Sequence, residues 1–314
     1  MGMMNNPGYV YALAAAALWA GAGTSAKLLF NLGLQPVELV ALRLWISAGV
    51  LLMVLAVTGR RRFAVDRSSV RALFILAPIN IGMQFTYFTA LSYTNVATAI
   101  FLQYLAPVLV ALWGALTGEE SFTRRTFVAV SLTTLGIFLL ATGGSLRHLD
   151  VSRAGLISGL ASAGFFAAHT VYSRKKLASA HPLAVLTCVL VMAALLWSFY
   201  RPLWRLDPGW AVPGFALLMA AIGIFGTVLP FWFFLRSLGL LPATHTITTS
   251  TAEPLLGMVF AYLLLGETMQ PVHLGGGLLI LLATGILAGG KGAARRQQGR
   301  ERRTVRADHP AAGP

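Results

Sequence analysis

Apolar stretches of membrane-spanning length recur along this chain almost without interruption, and that feature limits its fold more than any other. About 20 apolar residues in a helix cross a hydrocarbon core of ~30 Å. Ten such windows can be laid along the sequence, at 9–30, 37–58, 71–91, 94–117, 126–143, 154–173, 182–200, 212–235, 242–265 and 271–289. The links are short, and clusters such as Asp207-Pro208-Gly209 and Gly143-Gly144-Ser145 read as loops. Of the 314 residues, 57% are apolar and 11% charged, whereas ordinary soluble domains carry about 25% charged residues. Mean hydropathy is +0.73, which leaves too few polar side chains to coat a water-soluble globule. A soluble enzyme, a disordered chain and a disulfide scaffold are excluded as starting points. The chain reads as an all-α integral membrane protein with ten transmembrane helices.

The Ala-rich start leading to Ala20-Gly21-Ala22 has some features of a signal peptide. No Lys or Arg precedes it, and the apolar run continues to Phe30, so it reads as a retained first helix. With the N-terminus in the cytoplasm, the inner loops and tail hold eighteen Lys and Arg; the outer loops hold four, Arg147, Arg153, Arg201 and Arg205. That asymmetry predicts a multi-pass protein of the cytoplasmic membrane with both termini inside. Residues 291–314 form a basic tail, read as disordered. Directly after a span, such a segment suits anionic lipid or the cytoplasmic face, not nucleic acid.

A shift of 147 residues aligns Gly8 with Gly155, Leu13 with Leu160, Ala20 with Ala167, Leu91 with Leu238 and Pro107 with Pro254. One residue later, Gly118-Glu119 meets Gly266-Glu267. Two repeats follow, at 8–143 and 153–290, with five spans each. An odd number inverts the second copy in the membrane, an arrangement found in secondary transporters.

These residues also carry a family resemblance. The run from Ala90 to Ala99, Leu105-Ala106-Pro107-Val108 and Gly118-Glu119 resemble the end of an EamA domain of the drug/metabolite transporter superfamily. The second half repeats the pattern in Leu238 to Ala243, Ala252-Glu253-Pro254-Leu255 and Leu263 to Glu267. The openings are similar too, in Ala17 to Gly21 with Ala41-Leu42-Arg43, and in Ser173-Arg174 with His181-Pro182. The resemblance implies a central cavity between two inverted five-helix repeats and the movement of small metabolites or drugs. The first half departs from it with Ala106 where the second has Glu253, so a carboxylate role there is single-copy.

A polar side chain at mid-membrane needs an internal partner or a task. Glu253 lies about eleven residues from either end of the ninth window, roughly 16 Å deep at ~1.5 Å per residue. Pro254 loosens the helix beside it. Thr246, Thr249 and Ser250 share its face, either capping a structural carboxyl or lining a solute path on which Glu253 carries a proton. Gln103 and Tyr104 precede Pro107, and Asn80, Gln84 and Tyr87 repeat at i, i+4 and i+7. Their polar groups either read a solute's amino or carboxyl group or hold helices together. Trp19 and the stripe Phe165, His169 and Tyr172 are candidates for cavity wall or packing, with Trp19 aligned to Phe166. His245, near the cytoplasmic start of its span, is a second proton-relay candidate. Arg43 reads as snorkelling outward or pairing with Glu38. Gly275-Gly276-Gly277 reads as a close helix contact. Pro107 and Pro254 are expected to interrupt their helices beside the cavity.

No His/Cys/Asp/Glu grouping has metal spacing, no catalytic constellation or nucleotide-binding loop is visible, and no cofactor is implied. The function reads as a secondary transporter, not an enzyme. It moves a small metabolite or drug-like solute, an amino acid or related amine, by alternating access through the lipid bilayer, with export favoured by the resemblance. A lipid or glycan-carrier translocase would want an outer basic groove, which four scattered Arg do not supply. A membrane enzyme would want ionisable residues clustered near one interface. The oligomeric state is left open.

Overall fold

The computed structural model describes residues 6–31, 33–58, 67–94, 96–145, 152–176, 181–206, 213–265 and 270–308. Among these residues the long elements are all helices. They are α1 (Pro7–Asn31), α2 (Pro36–Thr58), α3 (Arg67–Tyr93), α4 (Val96–Gln103), α5 (Ala106–Thr117), α6 (Arg124–Thr142) and α7 (Arg153–Lys176). Then come α8 (Pro182–Tyr200), α9 (Phe215–Gly223), α10 (Leu229–Leu240), α11 (Ala243–Ser250), α12 (Ala252–Leu265) and α13 (Pro271–Asp308). A single π-helical turn, Ile224–Val228, joins α9 to α10. Gly266 and Glu267, the second copy of the Gly-Glu pair, lie outside the described residues.

Eight stretches are long and apolar enough to cross a membrane. They fall on α2, α3, α4 with α5, α6, α7, α8, α9 through α10, and α13 as far as Gly289. The chain is a multi-pass membrane protein. The first and ninth expected windows are helical but not among the eight. In the ninth, α11 carries four Thr, a Ser and a His in its eight residues. α13 is described as helix from Pro271 to Asp308. No proline falls between Pro271 and Pro310, and Ala, Arg, Gln and Glu are good helix formers.

The boundaries follow local chemistry. Thr123 Oγ1 accepts from the amide of Thr126 at 3.2 Å to start α6. Gly118 and Gly143, with φ of 70° and 60°, end α5 and α6 in the left-handed conformation that glycine adopts most readily. His181 caps α8 through Leu183 N at 3.3 Å, with Pro182 in the first turn.

The helices pack across the chain midpoint in matched pairs. α3 lies on α7 and α1 on α10; α4 lies on α7 and α11 on α1; α2 meets α8, and α6 meets α13. The α6–α13 crossing brings backbones together, because a Cβ at Gly276 would sit 2.6 Å from the carbonyl oxygen of Gly136. Leu39, Leu44, Leu76, Leu190 and Phe234 are fully buried in the shared core, while Met53, Leu116, Phe199 and Leu217 are exposed on the rim. An apolar rim of that kind suits lipid.

Candidate functional site

Two helix interruptions meet near the middle of the bundle. α4 stops at Gln103 and α5 restarts at Ala106, while α11 stops at Ser250 and α12 restarts at Ala252. The joints stay close to helical, with Leu105 at φ −73°, ψ −13° and Thr251 at φ −67°, ψ −1°. Pro107 and Pro254 each fall in the first turn after a joint. First-turn amides have no intrahelical acceptor, so a proline that lacks one fits there at little cost.

The joints exchange side chains. Tyr104, in the first, donates its hydroxyl to Glu253 Oε2, in the first turn of α12, at 2.6 Å. The Tyr104 hydroxyl also lies within donating distance, 3.1 Å, of the carbonyl oxygen of Ser250, the last residue of α11. Tyr104 and Glu253 are 1% and 6% exposed. The hydroxyls of Thr249 and Ser250 turn back onto the carbonyls of His245 and Thr246 in their own helix. The carboxyl is therefore held from the other half of the chain and not by its own helix face.

Arg43 corrects the sequence reading. It neither snorkels nor pairs with Glu38, whose carboxylate binds Arg201 at 2.8 Å. Arg43 is 4% exposed, its Nη2 donates to the carbonyl of Gly226 at 2.8 Å, and its guanidinium carbon sits 4.7 Å above the Phe88 ring. Gly226 lies in the π turn, where the usual i to i+4 ladder is broken. Ser47, one helical turn beyond Arg43, donates to the carbonyl of Gly223 at 3.1 Å. α2 therefore reads the irregular segment through two hydrogen bonds. An arginine several residues inside an apolar span was the one signal of this in the sequence.

A chamber of about 60 Å³ opens between these elements, with room for a few water molecules. Trp19, Gln84, Tyr87, Gln103, Tyr104 and Glu253 reach it from the candidate list, and Arg43 and Phe166 join them. Trp19 meets Phe166 edge-on at 6.1 Å and Phe231 at 5.3 Å. Other candidates lie off the wall. Asn80 accepts from Gln84 Nε2 at 2.8 Å and so positions it from behind. His169 packs on Phe231 at 5.6 Å, and Thr249 is occupied within α11. His245 binds Tyr9 at 2.7 Å through Nδ1 and faces a separate groove. Phe165 packs over Gly82, leaving Phe166, one residue on, to face the chamber. Among the described residues no group of His, Cys, Asp and Glu could hold a metal ion.

The sequence profile of the EamA-like transporter family matches residues 6–142 and again 153–289, so each half carries one copy. The chain belongs to the EamA-like transporter family. YicL of Salmonella typhimurium, named an uncharacterized inner membrane transporter, is 28% identical to it over 87% of this chain and 92% of its own. YwfM of Bacillus subtilis, named an uncharacterized transporter, is 27% identical over 91% and 95%. RhtA of Escherichia coli K12, named a threonine/homoserine exporter, is 28% identical over 84% and 85%. One crystal structure shares the fold with a TM-score of 0.73 over 92% of this chain and 98% of its own, at 19% identity. This is a membrane transporter, and the relatives' names point to transport rather than enzymatic chemistry.

In this EamA-like protein, contacts between the two family copies also tie both ends of the bundle. At one end Glu119 pairs with Lys175 at 2.7 Å. Beside it, the Glu120 carboxylate accepts from the amides of Ala243 and Thr244, capping α11 from the other copy. A groove of about 790 Å³ opens there, lined by Arg124, Arg125, Arg174 and His245. At the opposite end Glu38 binds Arg201, Trp45 Nε1 donates to Ser198 Oγ at 2.9 Å, and Trp197 Nε1 to the carbonyl of Val37 at 3.1 Å. Each end is thus tied by one ion pair and supporting hydrogen bonds.

Proposed function

We propose that this protein is a secondary transporter exporting a small amino-bearing metabolite, an amino acid or related amine, across the cytoplasmic membrane by alternating access. The observation that carries the reading is the contact of Tyr104 with Glu253 across the two helix joints, in a chamber that also holds Arg43. Irregular backbone inside a membrane is tolerated where it lines a cavity, and broken helices at mid-depth are how many transporters build their solute sites. RhtA, a relative whose name states threonine and homoserine export, supports the solute class and the direction.

The architecture proposed with it is ten transmembrane helices in two inverted five-helix repeats, 8–143 and 153–290. Its support is the double family match and the matched helix pairs, in which α3 on α7 answers α1 on α10. Both termini are cytoplasmic on this reading, which puts the Glu119–Lys175 end inside and the Glu38–Arg201 end outside. Alternating access would then release one set of ties while the other holds. Glu253 is the proton-coupling group, as it alone among the candidate carboxyls reaches the chamber, with His245 a relay at the inner groove.

Counterflow by the purified protein in liposomes, screened over amino acids, nucleosides and cationic drugs, tests the function. Exchange of amino-bearing solutes is expected; flat traces for every class from folded protein would end the transport reading. Reporter fusions test the topology. Fusions after Gly33, Ser145 and Trp204 are expected to report outside, and those after Arg62, Arg124 and Lys176 inside. Finding Arg62 and Ser145 on one face would break the inverted repeat.

A further inference from the structure

We infer that the chamber binds its solute as a zwitterion, with Arg43 and Tyr87 holding the carboxylate and Glu253 the ammonium. The inference rests on the transport reading above and adds the way the solute is held. One guanidinium and one carboxyl line the same small space, yet they form no ion pair. The ion pairs within 4 Å among the described residues are Lys175–Glu119 and Arg201–Glu38. Two opposite charges facing one chamber without touching leave a gap whose two ends want opposite partners.

The unpaired atoms identify those partners. Gly226 takes Arg43 Nη2, but Arg43 Nε has no hydrogen-bond partner, and neither has the Tyr87 hydroxyl. Both side chains are more than nine-tenths buried. A buried donor left unpaired is costly, and two such donors on one wall mark a place for an acceptor that arrives with the solute. A carboxylate matches them, since its two oxygens can take a guanidinium N–H and a hydroxyl together. Arg43 is held for this by Gly226 on one side and by Phe88 beneath it, so little side-chain freedom remains to be lost on binding.

The other end has the opposite character. A carboxylate accepts up to four hydrogen bonds, and Tyr104 supplies one to Glu253. Gln84 Oε1, also on the wall, has no partner either. An ammonium group, with three donors and no acceptor, fits between them. A simple amine would satisfy this end and leave Arg43 and Tyr87 unpaired, and a simple acid would do the reverse. A molecule that carries both groups, as an α-amino acid does on one carbon, satisfies both ends.

The test uses the purified protein in liposomes. Counterflow over the twenty L-amino acids selects the tightest one; its decarboxylated primary amine and its 2-hydroxy acid then compete against it. Each one-ended analogue is expected to compete about 10- to 100-fold more weakly with the wild-type protein, as loss of a charge-assisted contact dictates. Arg43→Gln is expected to weaken the amino acid more than the amine, so that the ratio between the two falls from about 10- to 100-fold toward one. Arg43→Lys, which keeps the charge but not the fork, is expected to shift the ratio the same way by a smaller factor, and serves if the Gln variant fails to fold. The inference is overturned if the amine competes as well as the amino acid in wild type, or if the Arg43 variants weaken both equally. It is overturned too if amines exchange and no amino acid does, in which case transport itself stands. Absence of exchange for every solute by folded protein would instead remove the reading underneath.

Discussion

Glu253→Gln is expected to abolish transport driven by a pH gradient, to the level of empty liposomes, while the protein still inserts and folds. Glutamine keeps the size of the side chain and can still accept from Tyr104, so the 2.6 Å contact that joins the two helix joints has a replacement. What it loses is the ability to exchange a proton for a cation. On the proposed mechanism, a proton and an ammonium group compete for one carboxylate. Loading from one side and release to the other then couple the two fluxes through a single site. Glu253→Asp keeps the titration but withdraws the carboxyl by one methylene, and is expected to retain part of the activity. Tyr104→Phe removes one hydrogen bond to a group able to carry charge, worth about 1.5–3 kcal/mol, and is expected to slow transport without uncoupling it. The measurement is solute accumulation against an imposed pH step, with gel filtration and thermal melting to confirm folding. A Gln variant that accumulates solute as well as wild type at acid and neutral pH would make Glu253 structural and send proton coupling elsewhere.

The second large effect concerns assembly. Gly276→Val is expected to cost the protein its monodisperse folded form, whereas Gly275→Val next to it should be close to neutral. At position 276 an added Cβ meets two backbone atoms, the oxygen of Gly136 at 2.6 Å and the nitrogen of Leu140 at 3.0 Å. Backbone cannot rotate away, so α6 and α13 would have to move apart. Overpacking of this kind costs about 1–3 kcal/mol or more, beyond the roughly 1 kcal/mol that replacing a helical glycine can return. Position 277 is intermediate, since its new Cβ meets only the Leu255 side chain, which can shift. At 275 nothing lies within 4 Å. The readout is yield and peak shape in mild detergent, and the order 276, then 277, then 275 is the prediction. Equal behaviour at all three positions would mean that α6 and α13 do not cross at Gly136 and Gly276.

Much of the protein was decided by the chain itself. Windows of about 20 apolar residues admit helices and little else in a bilayer, because helices satisfy their own backbone groups. The matched halves, the family and the two prolines follow from linear spacing. The helix joints at Tyr104–Leu105 and Thr251 stand just before Pro107 and Pro254 because a proline lacks the amide that a continuous helix would use there. Glu253 stood out because an ionisable group at mid-span is expensive anywhere in such a sequence.

Tertiary structure decided which faces turn inward. In a water-soluble helix the polar face announces the outside, but a membrane helix is apolar on the lipid side and largely apolar inside too, so periodicity alone does not orient it. Asn80, Gln84 and Tyr87 make one stripe, yet only the last two reach the chamber. Thr249 and His169 sit on promising faces and are turned elsewhere. Arg43 was the largest surprise. Its neighbour in sequence, Glu38, found Arg201, 163 positions away, and this left Arg43 free to bind Gly226 from the π turn, 183 positions away. Ion pairing depends on distance in space, and so does the π turn's broken ladder, whose freed carbonyls have value only where α2 lies against them. Those choices belong to the packed bundle.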